Sequence, residues 1–149
     1  RVLFRSQYLI PCNLYGEYDK YGDNSHFIAA LIKKIHYAKI NNQSEIVLFG
    51  DGTPLRQFMY SYDLANVIKY CLDNGIYDNM NVATEENLTI HEIAKVALKA
   101  CNAENLEIRY DIAKPNGQYR KDVSFDLLKN KIPSFIPTKL EDEIGRAHV

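Results

Sequence analysis

The chain has 149 residues, of which 46% are hydrophobic and 25% charged, a profile typical of a folded domain rather than a disordered, collagen-like or coiled-coil sequence. Eighteen basic and 19 acidic residues give a formal net charge of -1, which argues against a nucleic-acid partner or an anionic membrane surface. No apolar run approaches the ~20 residues of a membrane helix, and the three cysteines have no metal-type spacing, so we expect no membrane span, no metal and a cytoplasmic location.

The first predicted elements are a strand and a helix. Residues 7–14 (QYLIPCNL) predict a buried strand that ends in a loop at Pro11, because proline cannot donate to a strand ladder. The next segment is rich in Tyr, Asp and Gly and predicts a loop. Asn24 or Ser25 then caps a helix, since residues 27–38 carry apolar side chains at helical spacing.

The middle and C-terminal parts continue this alternation. Residues 45–49 (EIVLF) predict a strand, and the Gly-Asp-Gly turn at 50–52 separates it from a second strand over 57–60, close enough for a hairpin-like pair. The next predictions are a helix capped by Ser61 that stops at Gly75, a strand over 79–83 and a helix opened by the Thr89–Glu92 capping box. They are followed by a strand over 106–110, a loop over 114–121 and a short helix that Ser124 caps and that runs through Lys129. Strands alternating with helices predict an α/β fold.

Residues 49–63 (FGDGTPLRQFMYSYD) predict an anion-binding turn. The two glycines allow a tight turn close to a ligand, and Arg56 carries a permanent planar cation suited to phosphate. A Gly-Asp-Gly sequence alone is more often a plain β-turn beside a solvated arginine. The longer pattern R-x-F-x-Y-x-x-D, which runs through a strand into a capped helix, is more specific.

Two further segments carry polar side chains suited to chemistry. His26 stands at the predicted start of the first helix. It is either a proton donor or acceptor near neutral pH or an exposed histidine without a function. Lys33 and Lys34 follow two turns later. The loop 114–121 (KPNGQYRK) either closes over a polar ligand or is simply exposed.

Five segments carry a family resemblance: residues 11–16 (PCNLYG), 24–31 (NSHFIAAL), 36–39 (HYAK), 50–58 (GDGTPLRQF) and 114–118 (KPNGQ). Together they resemble the GDP-L-fucose synthase family, whose members are extended short-chain dehydrogenases/reductases. The resemblance covers residues 7–142. It implies an α/β, Rossmann-like fold of which this chain is the C-terminal part, mostly the smaller substrate-binding lobe.

The resemblance implies an NADP-dependent oxidoreductase and epimerase that epimerises and then reduces GDP-4-keto-6-deoxymannose with NADPH. By position, Pro11, Cys12, Asn13 and Leu14 resemble the segment that lines the nicotinamide. His26 resembles the acid that works opposite a cysteine in epimerisation and also neighbours the cofactor. Cys12 is not that cysteine, which in the family lies upstream.

The same resemblance implies a set of substrate contacts. Lys34 and Arg56 resemble cationic contacts to the GDP moiety, and Phe49 stands where an aromatic residue, often Trp, packs on the ligand. Asn116 replaces a family Asp in the K-x-D-G loop, so one substrate hydrogen bond changes from a carboxylate to an amide. The family also implies a homodimer of the full-length protein.

The two ends of the sequence resemble a sequencing adapter, because residues 1–6 (RVLFRS) and 144–148 (IGRAH) can be encoded by opposite strands of one oligonucleotide. We therefore expect residues 1–6 and 143–149 to be non-native. Residues 7–22 are then the end of the nucleotide-binding sheet and its following loop, and residues 23–142 the substrate-binding lobe, with some elements returning to the Rossmann domain.

Two motifs of the family are not found in the sequence. No G-x-x-G-x-x-G follows a strand, and the Y-x-x-x-K formed by Tyr110 and Lys114 ends a predicted strand instead of lying on a helix. The chain alone is therefore expected to be inactive. Two alternatives stay open: another NAD(P)-dependent nucleotide-sugar epimerase or dehydratase, and a non-catalytic binding protein of the same fold.

Overall fold

A computed structural model describes residues 6–22 and 24–145; residues 1–5 and 146–149 of the adapter-like ends lie outside the described residues. The strands are β1 (Leu9–Pro11), β2 (Asn13–Tyr15), β3 (Glu45–Phe49), β4 (Leu55–Arg56), β5 (Phe58–Tyr60), β6 (Met80–Val82), β7 (Leu88–Thr89), β8 (Glu107–Asp111) and β9 (Arg120–Lys121). The helices are α1 (Phe27–Ile40), α2 (Ser61–Asp73), α3 (Ile90–Ala100), α4 (Asp126–Lys131) and α5 (Leu140–Glu143). The α/β prediction is confirmed.

The strands pair with partners that are distant in the sequence. β1 pairs with β6, β2 with β5 and β3 with β8, all in parallel, while β4 lies between antiparallel β7 and parallel β9. Parallel pairs need crossover connections, and the helices supply them. The strands on either side of the Gly-Asp-Gly turn belong to different sheets, so the predicted hairpin-like pair is wrong.

Two apolar clusters hold these elements together. The larger one packs α1 and α3 against β3 and contains the fully buried Ile35 and Ile93. The smaller one packs α2 and α4 against β5 and β6, around Met59 and Leu128. Each such side chain contributes roughly 1.5–3 kcal/mol when it is fully removed from water. Ile144, in a segment expected to be non-native, is 1% exposed and belongs to the larger cluster.

Helix starts follow the sequence patterns only in part. The capping box of α3 is confirmed: Thr89 Oγ1 accepts from the Glu92 N–H, and the Glu92 carboxylate accepts from the Thr89 N–H. The N-cap of α2 is Tyr60 and that of α4 is Phe125, so the predictions of Ser61 and Ser124 as caps are wrong. The prediction of Asn24 or Ser25 as the cap of α1 is also wrong. His26 is the N-cap and makes no side-chain cap bond, because its ring contacts a carboxylate of the preceding loop instead.

Three other features of the described residues bear on function. None of the described helices is long and apolar enough to cross a membrane. Within residues 6–22 and 24–145, no group of three or more His, Cys, Asp or Glu side chains could hold a metal ion. Cys71 and Cys101 are buried free thiols, whereas Cys12 is half-buried.

Candidate functional site

A cleft of about 860 Å³ lies where residues 11–14, the start of α1, the end of β3 and the loop 114–121 meet. Its volume is within the ordinary range for small-molecule sites. The structure brings together on its lining all the site residues predicted from the sequence: Pro11, Cys12, Asn13, Leu14, His26, Lys34, Phe49, Arg56 and Asn116. Their roles stay predictions, but their common location is a finding.

The wall formed by residues 11–14 is fixed through its backbone and one amide side chain. Pro11 ends β1, and the Cys12 N–H then donates to the Val82 carbonyl at 3.0 Å. Asn13 Nδ2 donates to the Gln57 carbonyl at 2.8 Å. Since these bonds tie the wall to β6 and to the residue just before β5, its shape is set before any ligand binds.

Cys12 contributes an unreactive thiol to this wall. Burial raises the pKa of Cys12 to about 11, although hydrogen bonds to backbone groups oppose the shift. The thiol is therefore protonated at neutral pH. This state agrees with the expectation that Cys12 is not a catalytic cysteine.

His26, the residue immediately before α1, lines the cleft. Its Nδ1 lies 2.9 Å from Asp19 Oδ1, and its side chain is 75% exposed while that of Asp19 is only 12% exposed. One ring nitrogen is thus engaged by a nearly buried carboxylate. An exposed imidazole on a cleft, held at one nitrogen, is suited to exchanging a proton with a ligand.

Two cationic side chains lie over one exposed aromatic ring, and a third lines the same cleft. Lys34 Nζ lies 5.0 Å and Lys114 Nζ 5.9 Å from the centre of the Phe49 ring, which is 62% exposed. Lys34 Nζ also donates to the Val47 carbonyl at 2.8 Å, and desolvation lowers the pKa of Lys34. Arg56 adds its guanidinium on the same cleft. The chain is nearly neutral overall, yet this end of the cleft is positive.

The Gly-Asp-Gly turn needs both of its glycines. Gly50 and Gly52 have φ angles of 77° and 79°, in the left-handed region. A Cβ at Gly50 would lie 1.9 Å from Asn116 Oδ1, and a Cβ at Gly52 would meet the Tyr110 ring at 2.6 Å. Glycine is therefore required for backbone conformation and for space at both positions.

Asn116 fastens the loop 114–121 to this turn. Its Oδ1 accepts a hydrogen bond from the Asp51 N–H at 2.7 Å. The predicted substrate hydrogen bond of Asn116 therefore competes with a contact that the protein already makes. In this structure the oxygen of Asn116 orders the cleft wall.

The structure also places the residues set aside or missed in the sequence. Tyr110 lies in β8, where its hydroxyl is 2.6 Å from His91 Nδ1, so Tyr110 and Lys114 do not share a helix face. The sequence places Lys114 in the candidate loop 114–121 but does not predict its contact with Phe49. Asp19 was missed because a carboxylate in an irregular loop has no spacing signal that would connect it with His26.

Comparison with known proteins identifies the class. Residues 4–83, more than half of the chain, match the NAD dependent epimerase/dehydratase family. The chain belongs to this family. The mixed α/β fold agrees with the Rossmann-like fold of the structural relatives.

Two curated relatives are similar over most of the chain. A GDP-L-colitose synthase from Yersinia pseudotuberculosis is 42% identical over 128 residues, which cover 84% of this chain and 41% of that protein. A GDP-L-fucose synthase from Dictyostelium discoideum is 35% identical over 142 residues, 91% of this chain and 43% of that protein. The chain therefore spans less than half the length of these relatives.

A solved structure shows the same relation in three dimensions. A GDP-L-fucose synthetase from Naegleria fowleri bound to NADP superimposes with a TM-score of 0.84 at 28% identity. The match covers 93% of this chain and 44% of that one. The resemblance to GDP-L-fucose synthases inferred from the five sequence segments is confirmed.

Proposed function

We propose that the whole protein to which this chain belongs is an NADPH-dependent GDP-L-fucose synthase, which epimerises and reduces GDP-4-keto-6-deoxy-D-mannose to GDP-L-fucose. The observation that carries the proposal is the single cleft that collects all the predicted site residues. In this proposal the chain alone is inactive, and the full-length protein is a homodimer.

The positive end of the cleft is suited to a nucleoside diphosphate. Arg56 offers paired N–H donors and Lys34 a compact ammonium group, and both fit an anionic diphosphate. The exposed Phe49 ring offers a flat face on which guanine or the sugar stacks. Asn116 keeps the wall beside them in place. We assign the GDP moiety to this end.

His26 and residues 11–14 are assigned to the reacting end. A proton next to a ketone is acidic enough to exchange, and inversion of that carbon needs proton donors and acceptors on both of its faces. His26 supplies one such group on the cleft. The half-buried wall of Pro11, Cys12 and Leu14 fits one side of a nicotinamide ring. When bound, NADPH would supply the hydride that reduces the ketone.

A second candidate product is GDP-L-colitose, which the 42% identity to the colitose synthase favours. L-colitose lacks the 3-hydroxyl of L-fucose, so the two reactions share the GDP end of the substrate and differ at the sugar. Product analysis with GDP-4-keto-6-deoxymannose and with its 3-deoxy analogue decides between the two products. A protein that turned over neither would leave a different nucleotide-sugar enzyme or a non-catalytic binder.

The test is NADPH oxidation by the whole protein with GDP-4-keto-6-deoxymannose, with and without His26→Ala. We expect turnover in the unmodified protein and a loss of roughly 100-fold or more in the variant, the usual contribution of a general acid or base. The control is His36→Ala, since His36 is exposed on α1 and does not line the cleft. Unchanged turnover in His26→Ala would remove His26 from the mechanism.

A further inference from the structure

Asp19, in the loop before α1, contacts His26 but does not itself line the cleft. We propose that Asp19 is a positioning residue: its carboxylate holds the proton of His26 on Nδ1 and so leaves Nε2 as the nitrogen that exchanges a proton with the sugar. This inference rests on the proposed function, because it gives His26 its orientation for epimerisation.

The burial of Asp19 is the first argument. Its side chain is 12% exposed, and its Oδ2 is buried without a hydrogen-bond partner among the described residues. Its Oδ1 accepts from the Lys20 N–H at 2.7 Å and lies 2.9 Å from His26 Nδ1. A buried carboxylate with an unsatisfied oxygen costs folding free energy. We take the contact between Asp19 Oδ1 and His26 Nδ1 to be the function for which this carboxylate is kept in a nearly buried position.

The loop that carries Asp19 is the second argument, since it sets the position of the carboxylate. The Asp19 N–H donates to the Gly16 carbonyl at 3.3 Å. Gly16 packs so closely on the start of α2 that a Cβ there would lie 2.3 Å from Ser61 Oγ. The Ser25 N–H donates to the Gly22 carbonyl at 3.2 Å, which forms a second turn just before His26. Asp19 and His26 are thus held by turns on both sides of their contact.

The chemistry of the two groups gives the direction of the hydrogen bond. An ionised carboxylate only accepts, so His26 must carry a proton on Nδ1 in this contact. Nε2 then holds a proton in the imidazolium and a lone pair in the neutral ring. When an enolate is protonated, the new C–H bond forms as the Nε2–H bond breaks, and that electron pair stays on Nε2. Nδ1–H remains bonded to Asp19 throughout, and water returns the proton to Nε2.

The first measurement is ¹⁵N nuclear magnetic resonance of the histidine rings in the whole protein, assigned through His26→Ala. At a pH where His26 is neutral we expect the Nδ1–H tautomer. In Asp19→Asn we expect a shift towards Nε2–H, because the amide can donate to Nδ1. An Nε2–H tautomer in the unmodified protein would overturn the proposal, even if the variant failed to fold.

The second measurement is the rate at which deuterium from the solvent enters the sugar next to its keto group. We expect Asp19→Asn to slow this exchange roughly tenfold to 100-fold, while the KM for the nucleotide sugar stays within about threefold. The matched control is Asp73→Asn, which removes an exposed carboxylate that pairs with Lys69 on α2, away from the cleft. Asp73→Asn should leave both values unchanged.

The exchange rate and the ring tautomer distinguish failure of this inference from failure of the proposed function. If His26→Ala abolishes deuterium exchange but Asp19→Asn changes neither the exchange rate nor the ring tautomer, Asp19 serves the loop alone. If His26→Ala itself leaves exchange intact, the role of His26 in the proposed function fails. The two variants therefore separate the positioning claim from the catalytic one.

Discussion

At the scale of single residues, burial decides what the polar groups of the cleft can do. Cys12 and Lys34 line the same cleft, and desolvation is the leading cause of both pKa shifts. It keeps the thiol neutral at physiological pH, and it destabilises the charged form of the amine. An anionic ligand reverses the second effect by supplying a counter-charge, which gives the amine a measurable link between pH and binding.

Alkylation of Cys12 should be slow at neutral pH. Because its pKa is about 11 instead of 9.0, the reactive thiolate is about 100-fold scarcer than in an exposed cysteine. The check is iodoacetamide labelling followed by peptide mass spectrometry. The labelling rate should climb until the pH passes about 11, and urea-unfolded protein provides the reference. A native rate at pH 7 equal to the unfolded rate would contradict this account.

Binding of GDP should weaken at alkaline pH because Lys34 loses its proton. Desolvation lowers its pKa below 10.5, whereas a nearby diphosphate favours the charged amine, so affinity is full below the shifted pKa and falls as pH rises through it. Calorimetric titration of the whole protein from pH 7 to pH 10 measures this. Lys34→Arg should be flatter with pH, since guanidinium stays charged.

Lys69→Arg is the matched control for that titration, because Lys69 is an exposed lysine on α2 that pairs with Asp73 and does not line the cleft. The proton that guanine itself loses at alkaline pH affects all three proteins equally, so the difference between them isolates Lys34. If Lys34→Arg and the unmodified protein showed the same pH dependence, Lys34 would not contact the diphosphate.

At the scale of elements, the start of α3 is stabilised by a charge. Hydrogen bonds from the Thr89 hydroxyl and then from its backbone lower the pKa of Glu92. A carboxylate whose pKa is lowered on folding stabilises the protein above its unfolded pKa near 4.5, and that contribution is lost as pH falls through the lower, folded value.

Glu92→Ala should therefore lower the thermal unfolding midpoint of the whole protein at pH 7, by a few degrees at most because the carboxylate is exposed. The difference in unfolding midpoint between Glu92→Ala and the unmodified protein should become smaller as the pH is reduced below about 4.5. Glu92→Gln keeps an acceptor for the Thr89 N–H, so its loss at pH 7 should be smaller than that of Glu92→Ala, and it should likewise shrink at acid pH, because only the unmodified protein has a charge to lose there. A deficit that grew on acidification would have the wrong sign for this explanation.

The helices were predictable from sequence because their signals are local. The buried face of α1 repeats at helical spacing, and the Thr89–Glu92 box fixes the start of α3 within four residues. Strand pairing was not predictable in the same way. In the pair of β3 and β8, Glu45 lies opposite Glu107, 62 positions later in the sequence. Neither strand carries a sequence feature that identifies its pairing partner.

The same distinction applies to the site. Arg56 and the Gly-Asp-Gly turn form a local motif, so the sequence indicated them directly, and the family resemblance supplied Pro11 and Phe49. The contact between Asp19 and His26 depends on how an irregular loop folds back over seven residues. Only the three-dimensional structure brings the two side chains together.

At the scale of the whole molecule, the short sheets of the described residues have open edges, and the edge at β1 carries exposed apolar side chains. Among the described residues β1 pairs with β6 only; Ile10, at the centre of β1, is 58% exposed, and Tyr8, just before it, is 64% exposed. An open strand edge with apolar side chains pairs readily with other chains. This exposure predicts that the isolated chain aggregates or is only partly folded.

The isolated chain should self-associate through this edge, and Ile10→Lys should reduce the association, because a charge on an edge strand opposes pairing with a second chain. Sedimentation velocity over a range of protein concentrations measures the effect. Ile136→Lys is the control, since Ile136 is 85% exposed but lies in a loop away from the strand. A monomeric chain with a cooperative thermal transition would refute the prediction. Equal effects of both lysines would show that association depends on general hydrophobic exposure and not on the edge of β1.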